Sequence, residues 1–509
     1  MTHEKYISEI TYSAGYYDAM NTGQLEFVLA LSGLSIETPK TACELGFGKG
    51  ISLVYHAASS DVAWYGTDLL AEHVKFARQL SSTAGLKDNL SNVDLKNYKQ
   101  QDLPQFDFIA LHGVWSWVSA DTRSDIIDFI SAKLKPGGSV YISYNLLPGQ
   151  AHILPFRELF YSTYKSLRSQ SADTPEAIKL SLLAIQRLIQ ANPKFFESQP
   201  EAKEHFLTVC NQSPNYLAHE YLNGTWEPMF FTRIYDLLTD IGLSHVCSSH
   251  LLDSISNFSM SQEQIATVEA TEGYSSKELA RDTITNRQFR REYWTNQQVH
   301  NGDRLDPDLN ALEFRIMQAV PTVSIKLKIT CDAGLVTLDK TFYTAFLNEL
   351  ANYKTPSIKE LMQKLQSAGY SSYQVVEALK ILLSCGFIAL ISAGEPTTES
   401  TTRTRKLNQF MFERAKQNAD VSHFVSRYTR GGIFVPRTHQ LFIAENLNRS
   451  SRANIETRVA TLLKNNNEKI IKEGRPISND HDCMKELEMQ YDEFDKHYLT
   501  RYEKFGLLG

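Results

Sequence analysis

The run Glu44-Leu45-Gly46-Phe47-Gly48-Lys49-Gly50 closes a short apolar segment and opens a helical one, Ile51 to Ser59. A strand that turns into a helix over closely set glycines brings bare backbone up to a ligand at the carboxyl edge of a parallel sheet. Gly46, Gly48 and Gly50 provide that access. Their spacing lacks the GxGxxG pattern of dinucleotide-binding loops.

Working outward, a second apolar run, Val62 to Thr67, ends at Asp68, followed by Leu69. A carboxylate at that strand end can accept both hydroxyls of a ribose, and Glu44 can hold a ligand amino group directly or through water. After a helix from Ala71 to Ala84, Asp88, Asn92 and Asp94 compete for the position beside an adenine. A further apolar run, Phe106 to Leu111, precedes a helix from about Thr122 to Leu134. Pro136-Gly137-Gly138 then turns the chain into a strand, Ser139 to Tyr144. Strand–helix alternation with short loops predicts a Rossmann-like, doubly wound parallel sheet. The joint pattern is that of a class I methyltransferase fold, with S-adenosylmethionine as cofactor and Glu44, Gly46, Phe47, Gly48, Gly50, Asp68, Leu69, Asn92 and His112 as its binding candidates.

The chain has 509 residues and a formal net charge of −6. That length predicts several domains, and the acidic balance argues against nucleic acid as a partner. No run of eighteen apolar residues occurs, which predicts no membrane insertion. The N-terminus lacks a secretory pattern, and six scattered cysteines without a CxxC pair predict a reducing, cytoplasmic setting and no metal site.

After Pro148 the pattern becomes helical and aromatic, so residues 1–150 are read as the cofactor-binding domain and 151–304 as a helical, substrate-recruiting domain. Residues 305–395 show helices at Lys340–Tyr353, Ser357–Ser367 and Ser371–Ser384, then a strand, Phe387 to Ser392, which suggests a winged-helix-like unit. The would-be recognition helix carries only Gln374 and Lys380 for reading bases, so the unit is read as a protein-docking module. Residues 393–405 look like a linker, and 396–509 are read as a C-terminal helical segment.

Several runs are similar to one family. Leu111-His112-Gly113-Val114-Trp115-Ser116-Trp117-Val118, Tyr141-Ile142-Ser143-Tyr144-Asn145-Leu146-Leu147-Pro148-Gly149 and the upstream Gly15-Tyr16-Tyr17-Asp18 resemble bacterial methyltransferases with a methyltransferase regulatory domain. Asn215 to Asn223, with Trp226 and Pro228, resembles that domain's central motif. Thr283 with Asn286 to Arg291 resembles its closing segment, and Gly431 to Arg437 a C-terminal motif. Relatives include rickettsial enzymes that methylate lysines of an outer-membrane protein. The resemblance implies a protein substrate and auxiliary domains that recruit it. Two departures stand out: relatives carry a proline shortly after the first tyrosine, where this chain reads Tyr17-Asp18-Ala19-Met20-Asn21-Thr22-Gly23, and the third-strand acid is displaced.

Methyl transfer asks the protein to align an acceptor lone pair and exclude water. Candidates on the acceptor side are His112, Trp115, Trp117 and Tyr144, the last two strand-five residues, Tyr144 and Asn145, being read as leaving toward one face. Tyr16 and Tyr17 are candidate lids. Tyr216, His219, Glu220 and Tyr221 form a candidate wall, in which Tyr216 and Glu220, at i and i+4, share a helix face. Arg281, Arg287, Arg290 and Arg291 are read as mainly internally ion-paired. A protein-lysine methyltransferase fits these features best. A methyltransferase acting on a small molecule or peptide and a non-catalytic binding protein are the alternatives.

Overall fold

The computed structural model describes residues 15–170, 173–212, 214–297, 299, 314–331, 334–447, 454–472, 475–477 and 479–508. Its centre is a seven-stranded sheet of β1 (Thr41–Leu45), β2 (Ala63–Thr67), β3 (Leu90–Ser91), β4 (Phe106–Leu111), β5 (Leu134–Asn145), β6 (Ser244–Ser248) and β7 (Phe289–Thr295), in the order 3-2-1-4-5-7-6. Strands β1 to β5 pair in parallel, while β7 runs antiparallel to both β5 and β6.

One face is covered by α1 (Thr22–Leu31), α2 (Ile51–Ser59), α3 (Ala71–Ala84) and the C-terminal region, which share one apolar core. The other is covered by α4 (Leu95–Tyr98) and α5 (Ala120–Lys133), with help from a later helix. Asn21 caps α1 by accepting from the Gly23 N–H, and Ser119 caps α5 by accepting from the Thr122 N–H.

The segment 151–304 does not form one helical domain. Helices α6 (Leu154–Ser169), α7 (Thr174–Gln190), α8 (Lys194–Ser198), α9 (Pro200–Cys210) and α10 (Pro214–Tyr221) build a helical unit with its own core of Phe156, Phe160, Ile185 and Phe206. The chain then returns through α11 (Phe231–Thr239), β6, α12 (Gln262–Ala270), α13 (Tyr274–Thr285) and β7 to complete the sheet. The strand β7 reads Phe-Arg-Arg-Glu-Tyr-Trp-Thr, and its charges conceal its burial. Arg290 and Glu292 are buried because they pair with each other and with Asp282 and Glu278.

Beyond the sheet come β8 (Arg315–Gln318), the hairpin β9 (Lys328–Cys331)–β10 (Gly334–Thr337), α14 (Lys340–Asn348), α15 (Ile358–Ser367), α16 (Ser372–Ser384) and β11 (Ile388–Ile391). The three helices stand where the sequence places them, but among the described residues no strand hairpin directly follows them. Instead β11 pairs antiparallel with β8, upstream of all three. The expected linker at 393–405 is also mostly helix, α17 (Thr398–Ala415). Thr397 caps it by accepting from the Ser400 N–H, Glu399 pairs with Arg403 one turn on, and Thr404, Leu407, Asn408 and Met411 are buried on one side. The hairpin β12 (His423–Ser426)–β13 (Gly431–Phe434), the short pair β14 (Ile471–Lys472)–β15 (Arg475–Pro476) and, among the described residues, four further helices follow. Among the described residues no helix is long and apolar enough to cross a membrane.

Candidate active site

The loop after β1 takes the shape its glycines permit. Gly46 has φ +72°, and a Cβ there would stand 2.6 Å from Val114 Cγ2. Gly48 has φ +56° with nothing within 4 Å, so open space lies above the loop where a ligand approaches. Gly50, also left-handed, starts α2. Phe47 turns inward and is buried, so its candidacy for the cofactor rests on backbone alone.

Asp68 anchors this loop. Its Oδ2 accepts from the Gly48 N–H at 2.8 Å and its Oδ1 from the Leu70 N–H at 2.9 Å; His73 Nδ1 lies 3.2 Å from Oδ1. Carboxylate oxygens retain further lone pairs for a ribose. Glu44 is buried, and its Oε2 has no hydrogen-bond partner. Burial first, and then the Asp68 charge, push its carboxyl up to about 8. An orphaned buried carboxylate oxygen beside an open glycine loop fits a ligand amino group, and Asp68 beside it fits the sugar.

The adenine-side candidates are committed elsewhere. Asn92 Nδ2 donates to the carbonyls of Asp68 and Leu69 at 3.0 Å each, clamping that turn. Asp94 caps α4, and Asp88 pairs with Arg78. Leu69 is 45% exposed, an apolar side chain presented at the lip of the loop.

On the acceptor side, the ring of Tyr17 stacks on His112 at 3.7 Å. His112 Nδ1 shares hydrogen bonds with the Tyr141 hydroxyl at 2.8 Å and the Ser143 hydroxyl at 3.3 Å. Burial and then Arg291 push its imidazole down to about 3, so it is neutral. Tyr17 has its hydroxyl pushed up by burial, then by Glu44 and by Glu220. Those two carboxylates come from β1 and α10, so groups from both the sheet and the helical unit act on Tyr17. Tyr216, 45% exposed, has its phenol raised by burial and then by Glu220.

Other candidates are placed differently. Trp115 is fully buried beneath β4 and β5, and so packs the core instead of meeting an acceptor. Trp117 approaches Trp226 at 6.1 Å. Tyr144 is fully buried and donates to Glu292 at 2.8 Å. It lies on the opposite sheet face from Asn145, because neighbours on a strand alternate. Tyr16 is no lid: it packs on Gly432, bonds to His56 Nε2 at 3.2 Å and meets His423 at 5.0 Å. Tyr221 sits in the helical core, its hydroxyl 3.1 Å from His205 Nε2. The His219 side chain lies outside the described residues. Sequence reasoning missed His73, Tyr141 and Ser143. Tyr141 and Ser143 alternate along β5 on the His112 face, and that period was the available signal.

Residues 42–138 match the family described as "Methyltransferase domain", and residues 213–296 the family described as "Predicted methyltransferase regulatory domain". An uncharacterised protein of Synechocystis is 28% identical over 99% of both chains. One from Rickettsia prowazekii is 24% identical over 64% of this chain and 58% of its own. Among solved structures, PKMT2 from Rickettsia typhi in complex with AdoHcy has the same fold. Its TM-score is 0.66 and its identity 17%, over 97% of this chain and 99% of that one. The chain is therefore an S-adenosylmethionine-dependent methyltransferase that carries a methyltransferase regulatory domain.

Proposed function

We propose that the methyl group is delivered to lysine side-chain amines of a protein. The observation that carries this reading is the ring of Tyr17, stacked on His112 at 3.7 Å and reached by the fields of Glu44 from the cofactor side and Glu220 from the helical unit. An entering ammonium meets the Glu220 carboxyl and the face of Tyr17, which attracts cations and methylammonium products. Burial at this point lowers the amine pKa, against the opposing effect of Glu220, and so eases loss of its proton.

S-adenosylmethionine supplies an electrophilic methyl group on sulfur. Glu44 would hold its amino group, Asp68 its ribose, and the bare backbone at Gly46 and Gly48 would admit it. His112, kept neutral, is a positioning group: with Tyr141 and Ser143 it fixes the plane of the Tyr17 ring. A fixed wall on one side of the acceptor limits the poses it can take at the methyl group. The likeness of the whole chain to PKMT2, and the family resemblance of the sequence, support the same acceptor class.

The test is incubation of the purified protein with methyl-labelled S-adenosylmethionine and host lysate, followed by acid hydrolysis of labelled bands. Methylated lysine that disappears with Asp68→Ala supports the reading. Label confined to small-molecule extracts overturns it.

A further inference from the structure

A cavity of about 830 Å³ lies apart from the cofactor loop, between α1, the end of β6 and the C-terminal region. Leu251, Phe314 and Ile388 give it apolar walls, and Arg291, Arg430 and Arg501 give it three guanidinium groups.

Arg501 is the most informative of these. It is 6% exposed, and its Nε has no hydrogen-bond partner. Its guanidinium lies 5.0 Å from the Tyr502 ring centre, 5.4 Å from Phe505 and 5.9 Å from Tyr498. Among the described residues no carboxylate comes within 4 Å of it. A buried guanidinium ordinarily has a carboxylate, as Arg290 has three, because desolvating an unpaired charge is costly. Aromatic faces offset only part of that cost.

Arg291, partly buried, also lacks a carboxylate partner among the described residues. Arg281, Arg287 and Arg290 are ion-paired as the sequence suggests, whereas Arg291 forms no ion pair among the described residues. Two acids, Asp18 and Glu26, also line the cavity, and Glu26 interacts with Arg430, so the three guanidinium groups outnumber the acids by one.

We propose that this cavity binds a small organic anion, a carboxylate or phosphate head carried on an apolar body. The volume is that of a whole small-ligand site. Arg501 is 6% exposed within the cavity, which favours a compact molecule over a side chain of a passing acidic peptide. The cavity also communicates with the active site. Arg291 stands opposite Ser143 in the β5–β7 register, and Ser143 bonds to His112.

The test uses the full chain saturated with S-adenosylhomocysteine and the anionic dye 8-anilinonaphthalene-1-sulfonate, followed by calorimetry and fluorescence. One dye per chain is expected, with affinity falling at least about tenfold, or ~1.4 kcal/mol, in both Arg501→Gln and Arg430→Gln. The neutral N-phenyl-1-naphthylamine should bind wild type and variants alike. Arg430 is only partly buried, so its variant reports even where Arg501→Gln perturbs folding. Displacement by phenylacetate identifies a carboxylate head and displacement by phenyl phosphate a phosphate head. Unchanged dye affinity in Arg430→Gln, many dyes per chain, failure of both competitors, or displacement by hexaglutamate at lower concentration than either overturns the proposal.

Discussion

Tyr17 and His112 are stacked, with ring centroids 3.7 Å apart and planes inclined by 28°. One precedes α1 and the other follows β4, so the pair joins the N-terminal segment to the carboxyl edge of the sheet. The Tyr17 N–H donates to Ser52 Oγ on α2 at 2.9 Å, which ties the same residue to the helix after the cofactor loop. The ring therefore stands at the boundary between cofactor and acceptor.

Removing that ring should weaken the acceptor side selectively. Tyr17→Ala loses an aromatic pair worth ~1 kcal/mol, and acceptor KM should rise about fivefold. Tyr17→Phe should retain most of the affinity, because the ring and not the hydroxyl makes the stack. Steady-state kinetics with labelled donor measure this, and an unchanged KM in Tyr17→Ala contradicts it.

Asp68 both shapes the loop and offers charge to the ribose. Charge-assisted hydrogen bonds are worth ~1.5–3 kcal/mol, so Asp68→Asn should raise the cofactor Kd by about 10- to 150-fold. His73→Ala, which removes only a neighbour of the carboxylate, should have a smaller effect. Calorimetric titration with S-adenosylhomocysteine ranks the two, and the reverse order would reject Asp68 as the ribose ligand.

Glu44 gives a dependence on pH. Its folded pKa, about 8, lies above the ordinary carboxylate value of 4.5, so the ligand-free fold holds a proton that the unfolded chain has released. Stability from this group therefore falls as pH rises from about 4.5 to about 8, and stays low above that. Glu44→Gln should remove the dependence and melt higher than wild type at pH 8 but not at pH 5. Each kcal/mol moves Tm by roughly 1 °C in a chain this long. A gap between the two proteins that does not widen with pH contradicts the assignment.

The cofactor half of the site was legible because it is local. An apolar run, three glycines and an acid at the next strand end lie within one stretch, and the structure places β1, α2, α3 and β4 on the expected residues. The sheet's far edge was not legible. Strand β7 reaches β5 only after the helical unit is inserted, and its buried Arg290 and Glu292 read as surface charge until Asp282 and Glu278 are seen beside them. Tyr144 was misread for a simpler reason. It neighbours Asn145 in sequence but faces the opposite side of the sheet.

Trp115 separates core from chemistry. Fully buried and packed with residues of β4, β5 and α5, it should cost ~3–5 kcal/mol when changed to Ala. Trp117→Ala, at a partly buried position near Trp226, should cost less stability and act mainly on acceptor binding. Denaturant unfolding beside acceptor KM distinguishes them, and equal stability losses would contradict the placement.

The C-terminal region should also tune cofactor binding. Lys49, between the second and third glycines of the loop, lies 3.8 Å from Asp420, which Arg414 holds at 2.5 Å. Arg414 in turn lies over the Phe76 ring of α3 at 4.8 Å. The loop's cation is thus held by a carboxylate from a distant part of the chain, and burial with the nearby Arg414 lowers the Lys49 pKa. Such a partly exposed pair is worth ~1 kcal/mol or less. Asp420→Asn should therefore raise cofactor KM by roughly two- to fivefold with kcat unchanged. The difference should shrink at high salt, because screening acts on the pair in wild type and has nothing to weaken in the variant. A fall in kcat with unchanged KM would place Asp420 outside the support of the loop.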